Sequence, residues 1–274
     1  MNNLKNLVIS SAFGFSANEI SFFIKSLRKY YEEEIYFLIS PNDNDLKDLL
    51  ARYNCKFLEA KSHKHDIQLK RYDLYLDILK NNKFNKILHC DSRDIYFQSN
   101  PFEFPYKGSI NFFLEDEKIK NCPFNSNWLI KTHGKEVFDQ MKDNIILCSG
   151  TVMATNKSMI EYLKLIKNLI ENKKYKKSLK YLLTFRRDKN GRGCDQAHAN
   201  FIGHNKLIKD SHFYPNESGP IATVYHLKKI VFDKNFNLIN KTGRPYSIVH
   251  QYDKRWDKFS EQVNKIKENL NINT

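Results

Sequence analysis

Apolar clusters alternate with amphipathic segments along the first third of the chain. Apolar residues cluster between Asn6 and Ser11 and again between Glu34 and Ile39, whereas from about Ala17 to Tyr31 they recur at helical spacing. Short apolar runs are typical of buried strands, and a 3.6-residue spacing is typical of a helix with one face in the core. The pattern therefore predicts a strand, a helix and a second strand.

The same alternation continues downstream. A helix from Leu46 to Tyr53, a strand near Cys55 to Leu58 and a longer helix from roughly Asp66 to Asn81 precede an apolar strand that begins at Lys86. Strands that alternate with helices predict parallel pairing, because each crossover helix returns the chain to the same end of the sheet. We expect an α/β fold with a mostly parallel central sheet flanked by helices.

The second half of the chain gives less regular signals. A strand is expected from Ser109 to Leu114, and the stretch from Asn144 to Ala154 has two apolar runs around a small-residue break. A helix from about Lys157 to Glu171 follows, and the chain closes in a polar tail that we expect to fray. No linker divides the sequence, so we expect a single domain.

The 274-residue chain is strongly basic. It carries 45 Lys and Arg against 31 Asp and Glu, a formal net charge of +14 at pH 7. Such an excess implies an anionic partner: nucleic acid, a membrane surface, or a phosphorylated or acidic substrate. Much of it lies between Lys167 and Arg192, where basic and apolar residues are interleaved. Two interpretations of that region stay open, a helix on anionic lipid and a solvated Lys-rich helix.

The cysteines and the hydropathy of the chain limit the cellular compartments that we expect. The five cysteines form an odd set with no Cys-x-x-Cys pair, which indicates free thiols rather than zinc ligands or disulfides. The chain has no run of about 18 uncharged apolar residues, and its N-terminal apolar run is too short for a signal peptide. We expect a cytoplasmic protein, peripheral at the inner membrane face if the basic region binds lipid.

Two aspartates follow the apolar strand that begins at Lys86. Asp91 and Asp94 stand at its carboxyl end, with Ser92 and Arg93 between them. Open α/β sheets bind ligands at this end of their strands. Partly hydrated carboxylate sites suit Mg²⁺ or Mn²⁺ shared with substrate phosphates, so the pair indicates a nucleotide-diphosphate ligand. The alternative is an Asp-rich turn that caps a helix.

Small residues mark two further candidate binding segments. Ser11, Ala12 and Phe13 follow the first strand, where small and aromatic residues can hold a base and ribose. Ser149 and Gly150 stand at the break between two apolar runs, where a ligand can approach the backbone closely.

Two segments in the last third carry polar residues beside apolar ones. Asp195 and Gln196 open a predicted helix, and His250 follows an apolar pair, with Lys254 further along. A histidine in that position is by itself more often a satisfied core residue. Asp195 alone is equally well explained as a helix N-cap.

Taken together, four segments resemble the GT-A glycosyltransferases, which use nucleotide-diphosphate sugars. The segments are Ile87 to Phe102, Cys148 to Ala154, Cys194 to Asn200 and Val249 to Trp256. The likeness is greatest to the glycogenin and galactosyltransferase type of retaining enzymes, such as those of bacterial surface-polysaccharide synthesis. The resemblance implies a single GT-A (Rossmann-like) domain with a nucleotide-binding half at 1–115, an acceptor-side half at 116–260 and a polar tail at 261–274. The acceptor-side half supplies a C-terminal metal and acceptor extension.

The resemblance also implies a metal site. In the family an Asp-x-Asp pair and a late His bind Mn²⁺, whereas the acidic motif here is one residue longer. Alignment of the following apolar triplet puts Asp94 on the second acid, so we expect Asp94 and His250 to hold Mn²⁺ or Mg²⁺. Asp91 is either a third ligand, a contact to the cation through water, a ribose contact or a partner that orients Arg93. Arg93 can pair with an aspartate or with a phosphate oxygen.

The remaining roles follow from the same resemblance. Asp195 and Gln196 are expected near the donor sugar as catalytic residues, and Lys254 is expected on the diphosphate. The expected donor-binding residues are Ser11, Ala12, Phe13, Lys70, Asp91, Ser92, Arg93, Ser149, Gly150 and Lys254.

The implied activity is transfer of a sugar from a nucleotide-diphosphate donor, expected to be a UDP-sugar, to a hydroxyl of a glycan or lipid-linked acceptor. No strong catalytic base is visible in the sequence, which favours a retaining route. We favour a solvated loop for Glu115 to Glu117 over an acceptor-facing segment. One rival is a catalytically silent lipid-surface or scaffold protein that kept the fold. The strongest rival is a basic, metal-dependent protein that processes or binds nucleic acid. It leaves Gly150, Gln196 and His250 without a role, so we expect no nucleic-acid partner.

Overall fold

A computed structural model describes residues 4–61, 67–172 and 193–272. The basic stretch 173–192, on which much of the membrane interpretation rests, lies outside the described residues. Within them the strands are β1 Leu7–Ser11, β2 Glu34–Ile39, β3 Lys56–Glu59, β4 Lys86–Cys90, β5 Ile95–Phe97, β6 Ile110–Lys118, β7 Ile145–Thr155, β8 Ser211–Tyr214, β9 Ile221–Thr223 and β10 Ile248–His250. The helices are α1 Ala17–Arg28, α2 Asn44–Arg52, α3 Ile67–Asn81, α4 Pro123–His133, α5 Lys135–Met141, α6 Asn156–Asn172, α7 Cys194–His204 and α8 Trp256–Asn269.

Seven strands form the central sheet in the order β3-β2-β1-β4-β7-β6-β8. The first four strands in this order pair in parallel, as do β6 and β8, while β7 runs antiparallel to β4 and β6. The expected α/β architecture with a mostly parallel sheet is therefore confirmed, and it is compatible with a Rossmann-like fold.

Helices cover both faces of this sheet because the inner strands are apolar on both sides. In β1, Val8 packs with residues of α1 and α2, whereas Leu7 and Ile9 pack on the opposite face with residues of α3 and α6. Strands buried on both faces have nearly continuous apolar sequences, which explains the runs seen in the sequence. The carboxyl ends of β1 and β4 are left open between the two helical layers.

A second, three-stranded sheet lies beside this open end. Its order is β5-β10-β9, with β10 antiparallel to β5 and parallel to β9. His250 stands opposite Ile95 in the register, and the Gln251 amide donates to the Asp94 carbonyl at 2.8 Å. The late strand is thereby fixed next to the loop that follows β4.

The two apolar runs around Gly150 form one continuous strand, β7. Two sequence expectations are wrong about secondary structure. The segment from Glu115 to Glu117 belongs to β6 rather than to a solvated loop. The tail that was expected to fray forms most of α8, because Phe259 and Val263, one helical turn apart, are buried against the small sheet's core.

Among the helices of the described residues, none combines the length and the apolar composition that crossing a membrane would require.

Candidate functional site

Two aspartates and a histidine meet at the open end of the sheet. Asp91 directly follows β4, Asp94 directly precedes β5, and His250 ends β10. The Nε2 atom of His250 lies 3.6 Å from Oδ2 of Asp91 and 3.7 Å from Oδ1 of Asp94. Their ligand atoms all lie within 4.8 Å of one another. We call these three residues the ion cluster.

Backbone and hydroxyl contacts fix the loop that carries the two aspartates. The Asp91 amide donates to the Gly150 carbonyl at 2.9 Å, and the Ser92 hydroxyl donates to the Ser11 carbonyl at 2.7 Å. These bonds tie the end of β4 to β7 and to β1. The positions of the carboxylates are thus set by the two neighbouring strands and by β10.

The geometry of the ion cluster fits a divalent cation. Separations of 3.6 and 3.7 Å between the imidazole nitrogen and the carboxylate oxygens are too long for hydrogen bonds. They match ligands that share one ion, because metal–ligand bonds of about 2.1 Å place ligand atoms roughly 3 to 4.2 Å apart. The Nε2 atom is buried and has no hydrogen-bond partner among the described residues.

The other ring nitrogen of His250 faces a thiol. Its Nδ1 lies 3.4 Å from Sγ of Cys148. With the proton on Nδ1 and donated to sulfur, Nε2 presents its lone pair to the space between the carboxylates, as a metal ligand must. Carboxylate oxygens and one imidazole nitrogen suit Mn²⁺ or Mg²⁺, so these residues fit the metal that the resemblance implies.

Charges around the ion cluster act in opposite directions on its two acids. Burial disfavours a charged Asp91, yet the nearby His250 ring and the charge of Arg71 hold the pKa of Asp91 below its usual range. Burial is the largest influence on Asp94 and raises its pKa. The pKa of His250 is raised, since Cys148 and the two aspartates outweigh its burial. A divalent cation would displace the imidazole proton.

Gly150 is required at its position by the cluster itself. A Cβ there would lie 2.5 Å from Cε1 of His250 and 2.6 Å from Oδ2 of Asp91. Such contacts are far below van der Waals distance, so any side chain would push the ligands apart. The sequence predicted that a ligand approaches the backbone here; the groups that the structure brings close to Gly150 are ion-cluster side chains.

Arg71 is a buried cation that the sequence analysis missed. From α3, its Nη1 contacts Oδ1 of Asp91 at 3.3 Å and its Nη2 donates to Oδ2 of Asp195 at 2.8 Å. The signal was available: Arg71 stands four residues from Ile67 and from Tyr75, on the buried face of the helix. The neighbouring Lys70, one of the residues expected to bind the donor, is exposed.

Asp195 and Gln196 lie in the first turn of α7. The helix N-cap is Gly193, so the interpretation of Asp195 as the cap is wrong. The Gln196 side chain accepts from the Ser149 amide at 2.8 Å and donates to the Leu147 carbonyl at 2.6 Å. Gln196 therefore holds α7 against β7, while burial raises the pKa of Asp195.

Two cavities meet at Asp91 and Arg71, which line both. The larger cavity, about 440 Å³, includes the predicted residues Ser149, Gly150, Asp195, Gln196, His250 and Lys254. The smaller cavity, about 220 Å³, includes Ser11, Phe13, Ser92, Arg93 and Asp94. Ala12 is buried in the core and lines neither.

Two predicted cations share a partner that the sequence did not indicate. Arg93 donates to Oδ2 of Asp253 at 2.8 Å, and Nζ of Lys254 lies 3.0 Å from the same oxygen. Arg93 is therefore paired with Asp253 rather than with either aspartate of the ion cluster. Lys254 remains about half exposed at the mouth of the larger cavity.

The larger cavity also contains groups that the sequence analysis passed over. Glu115 is only 6% exposed and contacts Nδ1 of His226. Burial opposes a charge on His226, but Cys122 and Glu115 raise its pKa to about 9. A charged residue directly after an apolar run can indicate a buried charge. Here the two acids that follow Glu115 made the segment look like a solvated loop.

Neither a scan against protein-family models nor a search of curated proteins found a match to this chain.

Proposed function

We propose that this protein is a metal-dependent glycosyltransferase of the GT-A type. It would move a sugar from a nucleotide-diphosphate donor, a UDP-sugar in the first instance, to a hydroxyl of a glycan or lipid-linked acceptor. The observation that carries the proposal is the ion cluster. In this cluster the Nε2 atom of His250, which has no hydrogen-bond partner among the described residues, faces the carboxylates of Asp91 and Asp94 at the junction of two cavities.

The position of the ion cluster supports a nucleotide diphosphate as ligand. It stands beyond the carboxyl ends of β1 and β4, where open α/β sheets bind ligands. The smaller cavity offers the ring of Phe13, the hydroxyls of Ser11 and Ser92 and the cation of Arg93. Aromatic, hydroxyl and cationic groups suit a base, a ribose and a phosphate respectively.

The larger cavity supports a sugar acceptor. Its rim includes Phe124, 59% exposed, and Tyr225, 42% exposed, with Trp128 beside Phe124. Exposed aromatic faces bury the apolar faces of sugar rings and leave the hydroxyls free for hydrogen bonds. The basic surface of the chain adds attraction for a phosphorylated or lipid-linked acceptor.

Asp94, His250 and Asp91 would hold Mn²⁺ or Mg²⁺, which when bound neutralises charge on the departing diphosphate. Lys254, at the cavity mouth, adds a second positive charge for the same diphosphate. Arg71 keeps Asp91 and Asp195 in place, and Asp195 has a carboxylate directed at the cavity that can accept from a sugar hydroxyl.

The pairing of the cavity's acids favours retention of configuration. Outside the ion cluster, the described carboxylates of the larger cavity are Asp195, held by Arg71, and Glu115, held by His226. Neither is free to take a proton from an acceptor hydroxyl. Proton NMR of the product's anomeric centre tests this, and an inverted linkage would contradict it.

A nucleotide panel tests the proposal as a whole. Thermal unfolding is measured with nucleoside diphosphates and nucleotide sugars, with and without Mn²⁺. A ligand at about 100 times its Kd stabilises by about 2.7 kcal/mol, and we expect this only with Mn²⁺ present. Asp94→Asn should remove the stabilisation and the sugar transfer, while the matched change Asp77→Asn on the exposed side of α3 should keep both.

Two results would contradict the proposal. One is full turnover of donor in EDTA. The other is the absence of stabilisation by every nucleotide together with salt-dependent binding of random oligonucleotides, which would favour a nucleic-acid-binding protein.

A further inference from the structure

A second group of reactive side chains lies in the larger cavity, apart from the ion cluster. Cys122, His226 and Glu115 all line it. Glu115 contacts Nδ1 of the His226 ring, which leaves Nε2 as the ring nitrogen available to a thiol. Among the described residues only the ion cluster gathers three ligand atoms within 4.8 Å, so this second group is a row and not a chelate. We call it the thiol row.

Three elements of the fold build the thiol row. Glu115 belongs to β6, His226 ends the short turn Val224–His226, and Cys122 directly precedes α4, an eleven-residue helix that begins at Pro123. The positive end of a helix favours a negative charge on a residue placed there. The side-chain amide of Asn125, in the first turn, donates to Sγ of Cys122 at 3.3 Å.

The charges in the row favour a thiolate beside an imidazolium. Burial alone would raise the pKa of Cys122, but the nearby His226 ring and the hydrogen bond from the Asn125 amide lower it. The pKa of His226 moves in the opposite direction, to about 9, and Glu117 on β6 and Lys228 are the other charged groups that act nearby. A thiolate, not a thiol, is the nucleophilic form of cysteine.

The other cysteines give a contrast within the same chain. Burial raises the pKa of Cys55 to about 11 and raises that of Cys90 well above its usual value. Cys148 lines the same cavity as Cys122 and also faces an imidazole, that of His250. All four of these thiols are buried, Cys122 at 4% exposed. Thiols in apolar surroundings are inert, so Cys55 and Cys90 are controls for ionisation, and Cys148 is a control for access to the cavity.

We propose that Cys122 is a nucleophilic thiolate and a covalent modification site for low-molecular-weight disulfides, with His226 and Glu115 as positioning residues. The Cys122 thiolate attacks one sulfur of the disulfide, a protein–small-thiol disulfide forms, and the other half leaves as a thiolate that takes a proton from water. The oxidant is the incoming disulfide itself. The adduct would occupy the larger cavity. This inference does not rest on glycosyl transfer, because its readout is modification of a thiol.

The test measures alkylation of the full chain by iodoacetamide between pH 5.5 and pH 9, with each cysteine followed by peptide mass spectrometry. At pH 7 we expect Cys122 to react at least about tenfold faster than Cys55, Cys90 and Cys148. Its rate should level off below the pH at which an ordinary thiol ionises. Incubation with glutathione disulfide should give one adduct, on Cys122, that dithiothreitol reverses.

Matched variants distinguish activation of Cys122 by the thiol row from simple access to Cys122 through the cavity. Glu115→Gln and His226→Gln should slow alkylation of Cys122, whereas Asp77→Asn, a change to an exposed acid on α3, should not. An equal rate at Cys148 would show that access alone sets reactivity and would overturn the proposal. So would an unshifted pH profile for Cys122, a measurement on the unaltered protein that needs no variant to fold.

Discussion

The ion cluster and the thiol row use the same kinds of side chain at different distances. Each combines carboxylate, imidazole and sulfur, since Cys148 stands behind His250 as Cys122 stands beside His226. In the ion cluster the imidazole nitrogen stays 3.6 Å or more from the carboxylates. In the thiol row Glu115 contacts the ring directly.

The separation between imidazole and carboxylate decides what each group can do. A direct contact satisfies both partners and stabilises an imidazolium, which favours a thiolate on the other side of the ring. A gap between buried polar atoms is costly unless another group fills it, and two carboxylates with one imidazole lone pair suit a cation. Residue type alone therefore does not distinguish an ion site from an ion pair.

The largest expected effect concerns Arg71, a buried cation next to the ion cluster with no counterpart in the thiol row. Arg71→Met removes the partner of Asp91 and Asp195 and should lower the free energy of unfolding by about 3–5 kcal/mol. Urea denaturation measures it. The exposed pair of Lys80 and Asp77 is the control, and Lys80→Met should cost less than about 1 kcal/mol. Equal losses would show that Arg71 is not a structural counter-charge.

Gly150→Ala tests the gap in the ion cluster. At Mn²⁺ near 100 times its Kd, the unaltered protein should gain about 2.7 kcal/mol of stability. The added methyl overlaps His250 and Asp91, so the variant should lose most of that gain, measured as the difference in unfolding between Mn²⁺ and EDTA. Glu115→Gln alters only the thiol row and should retain the gain. Loss in both variants would mean that Mn²⁺ acts elsewhere in the cavity.

The pH dependence of stability tests the contact in the thiol row. The folded pKa of His226, about 9, lies above the unfolded value of about 6.5. The stabilisation by charged His226 is therefore complete below about pH 6.5 and is lost as the pH rises through 9. His226→Gln should cost about 1–2 kcal/mol more at pH 6 than at pH 9.5, a figure reduced for water in the cavity. A cost that does not change with pH would contradict the ion pair.

Ser92→Ala gives the smallest expected effect. The Ser92 hydroxyl donates to the Ser11 carbonyl and anchors the loop of the ion cluster, whereas the acid of the thiol row stands on a strand and needs no such anchor. Loss of this bond should cost about 0.5–1.5 kcal/mol in chemical denaturation. Mn²⁺ binding should weaken with it, while alkylation of Cys122 should be unchanged. Unchanged Mn²⁺ binding together with slower or faster alkylation of Cys122 would contradict the assignment of this hydroxyl to the ion cluster.

Local periodicity explains how much of the fold could be predicted. The alternation of apolar runs and amphipathic segments gave the α/β class, and β2 matches its predicted limits, Glu34 to Ile39. Asp91 and Asp94 were found because a strand end is a local signal. The helical tail was missed because the burial of Phe259 depends on the small sheet, whose strands come from three distant parts of the chain.

Pairs that form across long stretches of chain explain what was missed in the site. Arg71 and Asp195 are 124 residues apart, and Glu115 and His226 are 111 apart, so neither pair leaves a sequence spacing to recognise. A buried charge is visible in sequence only as an exception to an apolar face, which Arg71 is. Glu115 does not stand out in this way, because two further acids, Asp116 and Glu117, follow it directly in the sequence.

The register between β5 and β10 has a consequence for biosynthesis. His250 reaches Asp94 only because the late strand pairs with residues that leave the ribosome some 150 positions earlier. Until that strand has emerged, β5 has no antiparallel neighbour and the aspartates have no imidazole opposite them. A nascent chain stopped short of this strand would consequently lack one of the three proposed metal ligands, however well its first four parallel strands had already folded.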